Sequence, residues 1–500
     1  MSIARSRAVT DRFMTRLLPP RSHSFAIHAA VAAIAGLALR IFLVLRFPAD
    51  AGDSAIYEEL AQNWLHEHVY GIFYANGLTP SDIRVPGYPA FLAVVDFLFR
   101  RGQGPFVLAQ AFLDLGTCFL VAWLASRLAP RPQRPRVALA ALWLAATCPL
   151  VANYAAVALP EVLATFLTAA ALIPMVGACI ALEGSDGGSA AGSPRNTPWK
   201  TWFTSGFLVG LATMVRPESP LLLASLALVL AVRWRRRADW GKLARVGALT
   251  AAGLVLPLAP WAERNWVQFH QVQFLAPRYA ASPDEYTPRG LYAWTATWLV
   301  RFRDVYLIPW NIGSDRVDIS DVSPSAFGSP SERDRVAALL DQYNMTQRMT
   351  PEVDAGFAAL ARERTSRDPL RTYLFVPLGR VATLWFTPRT ELLPVSGHLW
   401  PVGEQWREDP LGFSVTVFLG ALNLCYVGLA IAGLWRAHLQ RDTLGPGVRT
   451  AVMLLVVFMV VRTAFLTQVE TPEPRYVLEC FPALLALGAL VWLPHATGRD

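Results

Sequence analysis

The stretch from Phe25 to Leu45 is roughly twenty residues of mostly Ala, Ile, Leu and Val, the length a helix needs to cross about 30 Å of hydrocarbon. Apolar stretches recur at Phe106 to Leu128, Val137 to Ala156, Val162 to Leu182, Trp202 to Val215, Leu221 to Val232, Leu243 to Ala262, Phe413 to Leu434, Val448 to Leu466 and Tyr476 to Leu493. With 54% hydrophobic and only 16% charged residues, the 500-residue chain carries more apolar surface than one soluble core can use. The pattern predicts an all-α polytopic membrane protein with about ten transmembrane helices, interfacial helices and a small extracytoplasmic region.

Charge sets the orientation. Five arginines precede Phe25 and place the N-terminus in the cytoplasm. The apolar run after them is too long for a signal-peptide core, so it reads as an uncleaved first span. The formal charge of +8 is spread in short clusters between apolar runs, which suits topology signals and anionic membrane lipids and argues against nucleic acid. The segment Pro86 to Phe99 has about fourteen residues and carries Asp96, short of the usual ~17 to 25 for a span. If it lies at the outer interface, the basic runs 127–136 and 233–242 both become cytoplasmic, as the positive-inside rule asks. That topology puts Asp53, Arg84, Glu161, Arg216, Glu218, Arg264, Asn265, Glu473, Arg475 and Tyr476 on one, extracytoplasmic side. The Gly/Ser/Pro-rich segment 183–198 reads as a flexible cytoplasmic linker.

In "GDSAIYEELAQNW" (52–64), Ile56, Leu60 and Trp64 recur every four residues, with Asp53, Tyr57 and Ala61 as a neighbouring stripe. Taken alone, an Asp after Gly at a helix start favours an N-cap. Arg84, just before "PGYPAFL" with its Tyr88, reads equally as a phosphate ligand, whose oxygens a guanidinium matches, or as a headgroup anchor. Glu161 sits at the first turn of a span, where the helix dipole favours a carboxylate; facing lipid it would be costly, so it is expected to face a cavity. Arg216 and Glu218 lean towards a structural pair, and Arg264 with Asn265 is evenly balanced. Arg475 and Tyr476, before the last span, suit an anionic headgroup.

The five cysteines lie in or beside apolar segments without metal-ligand spacing, and the few histidines form no zinc motif. No Walker loop, dinucleotide fingerprint or nucleophile elbow is present. No cofactor is certain; a divalent cation between Asp53 and Glu161 is the one candidate, and no other metal site is expected.

In that order, "GDSAIYEELAQNW", "RVPGYPAFL", "LPEVLATFL", "RPESPLLL", "PWAERNW" and "EPRYVLECFPALLAL" resemble the GT-C superfamily of polytopic glycosyltransferases, nearest the protein O-mannosyltransferase-like and aminoarabinose transferase-like enzymes. The likeness covers about residues 25–270 and returns near 470–490. It implies a transmembrane catalytic core over 1–270 with its first outer loop at 47–100; the topology itself gives an extracytoplasmic region over 271–410 with two helix-like stretches, "SERDRVAALLDQYN" and "PEVDAGFAALARERTSRDPLRTYLF", and C-terminal spans over 411–500. The likeness also implies a sugar donor on a polyprenyl phosphate, a lipid, glycan or protein acceptor, and Asp53 as the general base. Many members carry Glu after that Asp, where this chain has Ser54. Arg84, with Arg264 and Arg475, would bind the donor phosphate; Tyr57, Tyr88, Glu161 and Tyr476 would line the substrate pocket. The composition suits a bacterial inner membrane. The alternative is a transporter or flippase of a lipid-linked or anionic substrate, against which stand the missing inverted repeat and the polar motifs gathered at one face rather than at the midplane.

Overall fold

Hydrocarbon offers a backbone no water to bond, so segments that cross it close their hydrogen bonds internally as helices. A computed structural model of the chain follows that rule and describes residues 23–49, 51–99, 102–183, 198–234, 240–279 and 286–494. The basic stretch before His23, most of the 183–198 linker and the centre of the 233–242 basic run lie outside the described residues. Among the described residues, seven helices are long and apolar enough to cross a membrane: Ser24–Arg46, Gly104–Arg127, Glu161–Leu182, Leu243–Phe269, Pro410–Leu439, Arg441–Leu466 and Pro474–Trp492. An eighth arises if Arg131–Ala146 and Pro149–Ala156, bent by 49° at their break, count as one span. The other two expected spans are apolar helices of 15 and 14 residues, shorter than the usual ~17 to 25. The chain is a helical polytopic membrane protein.

Its contacts divide it into two compact units, residues 1–276 with 388–459 and 478–500, and residues 277–387 with 460–477. In the first unit the described order begins α1 (His23–Arg46), α2 (Gly52–His66), a hairpin of β1 (Gly71–Tyr74) and β2 (Gly77–Pro80), and α3 (Gly87–Phe99). It continues through α4 (Gln103–Arg127), α5 (Arg134–Ala146), α6 (Glu161–Glu183), α7 (Trp199–Thr213), α8 (Leu221–Trp234) and α9 (Trp240–Phe269). Helices α7 and α9 meet through glycines. A Cβ at Gly206 would stand 2.0 Å from the Thr250 carbonyl oxygen, and one at Gly253 would stand 2.2 Å from that of Phe203. Gly206 and Gly210 form the small-xxx-small spacing that lets membrane helices approach backbone to backbone.

A charged pair lies inside the spans. Arg40 on α1 meets Asp114 on α4 at 2.7 Å, with 0% and 1% of the side chains exposed. The same guanidinium donates to the Gly36 and Ala146 carbonyls and to Cys118 Sγ. Ionisable groups at this depth persist only when paired and bonded in this way.

Helix α3 has 13 residues. Tyr88, Leu92 and Val95 are buried, whereas Val94, Phe97, Leu98 and Phe99 stay exposed, the profile of a short helix seated at an interface. Asp96 is accounted for by Gln62, which donates to it at 2.6 Å and ties α2 to α3.

The second unit has its own core of Leu291, Trp294, Trp298, Val336, Leu340, Tyr343, Phe357 and Leu360. Its helices Pro330–Thr346 and Pro351–Arg367 start at Ser329 and Thr350, whose hydroxyls accept N–H groups of the first turn. Sequence periodicity runs helix unbroken from Pro351 to Phe375, but Asp368 leaves helical geometry before Pro369, which disfavours a helical residue ahead of it. Arg364 is buried against Glu332, Thr297 and the Ala326 carbonyl.

Candidate active site of the first unit

Helix α2 begins with Ala51 extended at its N-cap. The Ser54 hydroxyl accepts the Ala51 N–H at 3.3 Å, and the Ser54 N–H donates to the Ala51 carbonyl at 2.9 Å. Ser54 therefore closes the first turn, and the capping role that Asp53 suggests in isolation is corrected. Asp53 lies one residue inside the helix, where the dipole favours a carboxylate. Its Oδ1 accepts from Arg84 Nη2 at 2.8 Å, and the pair is only partly covered, 31% and 26% of the side chains remaining exposed.

The chain between the two residues is built to hold Arg84. Glu59 accepts the Phe73 N–H and Asn63 donates to the Gly71 carbonyl, which docks the hairpin on α2. Tyr70 then donates to the Arg84 carbonyl at 2.9 Å. The Gly87 N–H bonds the Met214 carbonyl at 2.7 Å, and a Cβ on Gly87 would stand 2.5 Å from that oxygen, so glycine sets how closely α3 abuts the end of α7. Arg84 lies over the Tyr57 ring at 5.9 Å. Tyr57 meets Tyr88 edge to face at 5.1 Å. Tyr88 is buried, and its hydroxyl donates to Gln110, which donates in turn to the Ala155 and Val157 carbonyls. Burial raises the Tyr57 pKa, with Arg216 and Arg84 pulling against it. Burial opposes the charge on Arg84, but Tyr57 and Asp53 outweigh it and hold the guanidinium above its ordinary pKa.

Glu161 opens α6, is 1% exposed and accepts a hydrogen bond from Arg216, whose Nε also stands 3.7 Å from Glu479. Burial disfavours the Arg216 charge; Glu161, Glu218 and Glu479 more than offset it. Sequence reasoning read Arg216 mainly as the partner of its near neighbour Glu218 and did not single out Glu479. The signal was present in "RPES" and "VLEC", but not which carboxylate each would meet.

Arg264, on α9, is held differently. It donates to the Tyr70 carbonyl at 2.7 Å and to Asn265 Oδ1 at 2.9 Å. The rings of Phe269, Trp261 and Tyr70 lie 5.0, 5.1 and 5.5 Å from its guanidinium carbon. Among the described residues no carboxylate forms an ion pair with it. It lines a cavity of about 340 Å³ whose walls include Trp64, Tyr70, Pro86 and Trp261. Trp261 is 4% exposed, and its Nε1–H has no partner among the described residues.

Asp53, Tyr57, Arg84, Tyr88 and Arg264 thus belong to the first unit, joined by the contacts above, and Glu161 lies in the same unit with Arg216. Arg475 and Tyr476 belong to the second, where Glu473 accepts from Arg475 Nε and from the Tyr476 hydroxyl, each at 2.5 Å. Among the described residues no group of three His, Cys, Asp or Glu side chains could hold a metal ion. Asp53 and Glu161 are each engaged by a guanidinium.

No protein-family model and no curated protein matches the chain. It is similar to solved structures of the oligosaccharyltransferase AglB from Archaeoglobus fulgidus. Against the complex with an inhibitory peptide and a dolichol-phosphate, identity is 14% over 93% of this chain and 50% of the other, with a TM-score of 0.48. Against the form tethered to an acceptor peptide containing the NVT sequon, it is 14% over 94% and 49%, with a TM-score of 0.49. It is also similar to ArnT from Cupriavidus metallidurans bound to undecaprenyl phosphate, at 15% identity over 91% and 78%, with a TM-score of 0.39. The chain spans about half the length of the oligosaccharyltransferases.

Proposed function

We propose that the protein is a membrane glycosyltransferase that moves a sugar from a polyprenyl-phosphate donor to a lipid, glycan or protein acceptor, with inversion at the anomeric carbon. The observation that carries this reading is the partly exposed Asp53–Arg84 pair at 2.8 Å, in the same unit as a cavity whose Arg264 has no carboxylate partner among the described residues. The ordered motifs from "GDSAIYEELAQNW" to "PWAERNW" support it.

In the proposed step Asp53 removes the acceptor proton as the acceptor oxygen or nitrogen attacks the anomeric carbon. The bond to phosphate breaks, and phosphate leaves as a stable anion that needs no general acid. Arg264, an aromatic-walled cation with no carboxylate ion pair among the described residues, suits that phosphate. Arg84, held between Asp53 and Tyr57, orients the base and adds to the positive field. In a partly dehydrated site the loss of one such contact costs about 3 kcal/mol of barrier. Tyr57 and Tyr88 form the wall beside the base, and Glu161 fixes Arg216. A groove among membrane helices lets the donor tail stay in the bilayer, where a soluble enzyme would have to extract it. The active face is assigned to the extracytoplasmic side of a bacterial inner membrane.

The test is to incubate the purified protein in lipid with labelled polyprenyl-phosphate sugars, with and without membrane extract as the source of acceptor. Extract-dependent release of free polyprenyl phosphate is expected. An intact donor that only changes leaflet would replace this reading with a flippase.

A further inference from the structure

A second polar group in the first unit is untouched by the chemistry above. In "TPRTELLP", Arg389 is buried in the left-handed region at φ 60°, which an L side chain rarely adopts and which surrounding structure must enforce. Its guanidinium sits 5.1 Å from the ring centre of Phe481. Glu391, two residues on, is half-buried and accepts the Tyr154 hydroxyl on Oε1 at 2.5 Å, across 237 positions of sequence. No other donor among the described residues meets its carboxylate.

Tyr154 is buried in the short turn Asn153–Ala156. That turn is tied to Tyr88 and to the segment that precedes α2. Gln110, which holds Tyr88, also holds the Ala155 carbonyl and that of Val157 just beyond. The Ala156 carbonyl accepts the Ala49 N–H of the segment leading to Asp53, at 3.4 Å. The charges of Glu391, Arg389 and Glu161 all bear on Tyr154. Beside it Asn153 is 5% exposed, with an Oδ1 that has no hydrogen-bond partner among the described residues. One carboxylate oxygen is therefore fixed by a buried phenol, while the side chain as a whole stays only half-buried.

Resting on the glycosyl-transfer reading, we propose that Glu391 binds a hydroxyl of the transferred sugar and sets which sugar is accepted, with Tyr154 and Arg389 as its positioning residues. A carboxylate held on one oxygen accepts from a donor that reaches the other, and sugars present hydroxyl donors whose positions differ between epimers. A site built to bond a hydroxyl discriminates strongly against a substrate that lacks it there. A clasp that only pinned the loop would affect every donor alike.

The experiment measures kcat/KM of the full-length protein in lipid for polyprenyl-phosphate glucose, mannose, galactose and 4-amino-4-deoxyarabinose, with membrane extract supplying acceptor. Glu391→Gln is expected to change the ratio between at least one pair of donors by about tenfold, mostly through KM. Tyr154→Phe, which keeps the ring and removes only the hydroxyl, is expected to shift the same ratio in the same direction by less, and carries the test if Glu391→Gln fails to accumulate. Wild-type turnover with unchanged ratios in the variant tested overturns the role of Glu391 alone. No turnover of any donor by the wild type overturns glycosyl transfer, and the role of Glu391 with it.

Discussion

Two Arg–Asp pairs in the first unit have nearly the same length and opposite settings. Arg40 and Asp114 meet at 2.7 Å with almost no exposed surface, and two carbonyls and a thiol take up further guanidinium donors. Arg84 and Asp53 meet at 2.8 Å with about a quarter to a third of each side chain exposed, beside a tyrosine face. The first pair is closed on itself and belongs to the architecture. The second is reachable, so a substrate can exchange one of its contacts. Distance alone separates them in no way; burial and the saturation of the guanidinium do.

That contrast can be broken in order of effect. Asp114→Asn leaves Arg40 charged and without its counter-ion inside the spans, and breaking a buried pair costs about 3 to 5 kcal/mol. Thermal melting in lipid should show a large loss of stability, or no folded protein, and a melt within a degree or two of wild type would mean that the buried pair is dispensable. Arg264→Gln should raise the donor KM or lower kcat/KM by roughly a hundredfold, the effect of losing one preorganised charge contact of about 3 kcal/mol, while the protein stays folded. Steady-state kinetics on the labelled donor decide it, and an unchanged kcat/KM would move the phosphate away from this cavity. Ser54→Ala removes the hydroxyl that closes the first turn of α2 and should cost about 1 kcal/mol. A small downward shift in the melting midpoint is expected, with kcat reduced only as far as Asp53 loses its orientation; stability unchanged within error would show the turn to be held by other contacts.

The parts of this arrangement that a sequence makes legible are those governed by local pattern. Long apolar runs announce the spans because lipid imposes one length and one composition on them. The short helix at 87–99 could be read from its length and from the loop charges around it. The hairpin at 71–80 was not anticipated: its strands are four residues each, too short for alternation to register. Pairings between distant residues were also hidden. Nothing in "RPES" says that Arg216 turns to Glu161, 55 positions away, and nothing in "TPRTE" says that Glu391 meets Tyr154. Ser54 is a departure from the pattern around Asp53 in the sequence, yet its hydroxyl accepts the Ala51 N–H at the helix start.

The central claim concerns Asp53, and its most direct test sets the transfer rate of Asp53→Asn beside its melting curve. An exposed or half-exposed ion pair contributes about 0 to 1 kcal/mol to stability, whereas a general base contributes roughly 10²- to 10⁴-fold to rate. Asp53→Asn should therefore melt close to wild type and release polyprenyl phosphate at least about a hundredfold more slowly. A folded variant that turns over at a near-normal rate would contradict the assignment of Asp53 as the base.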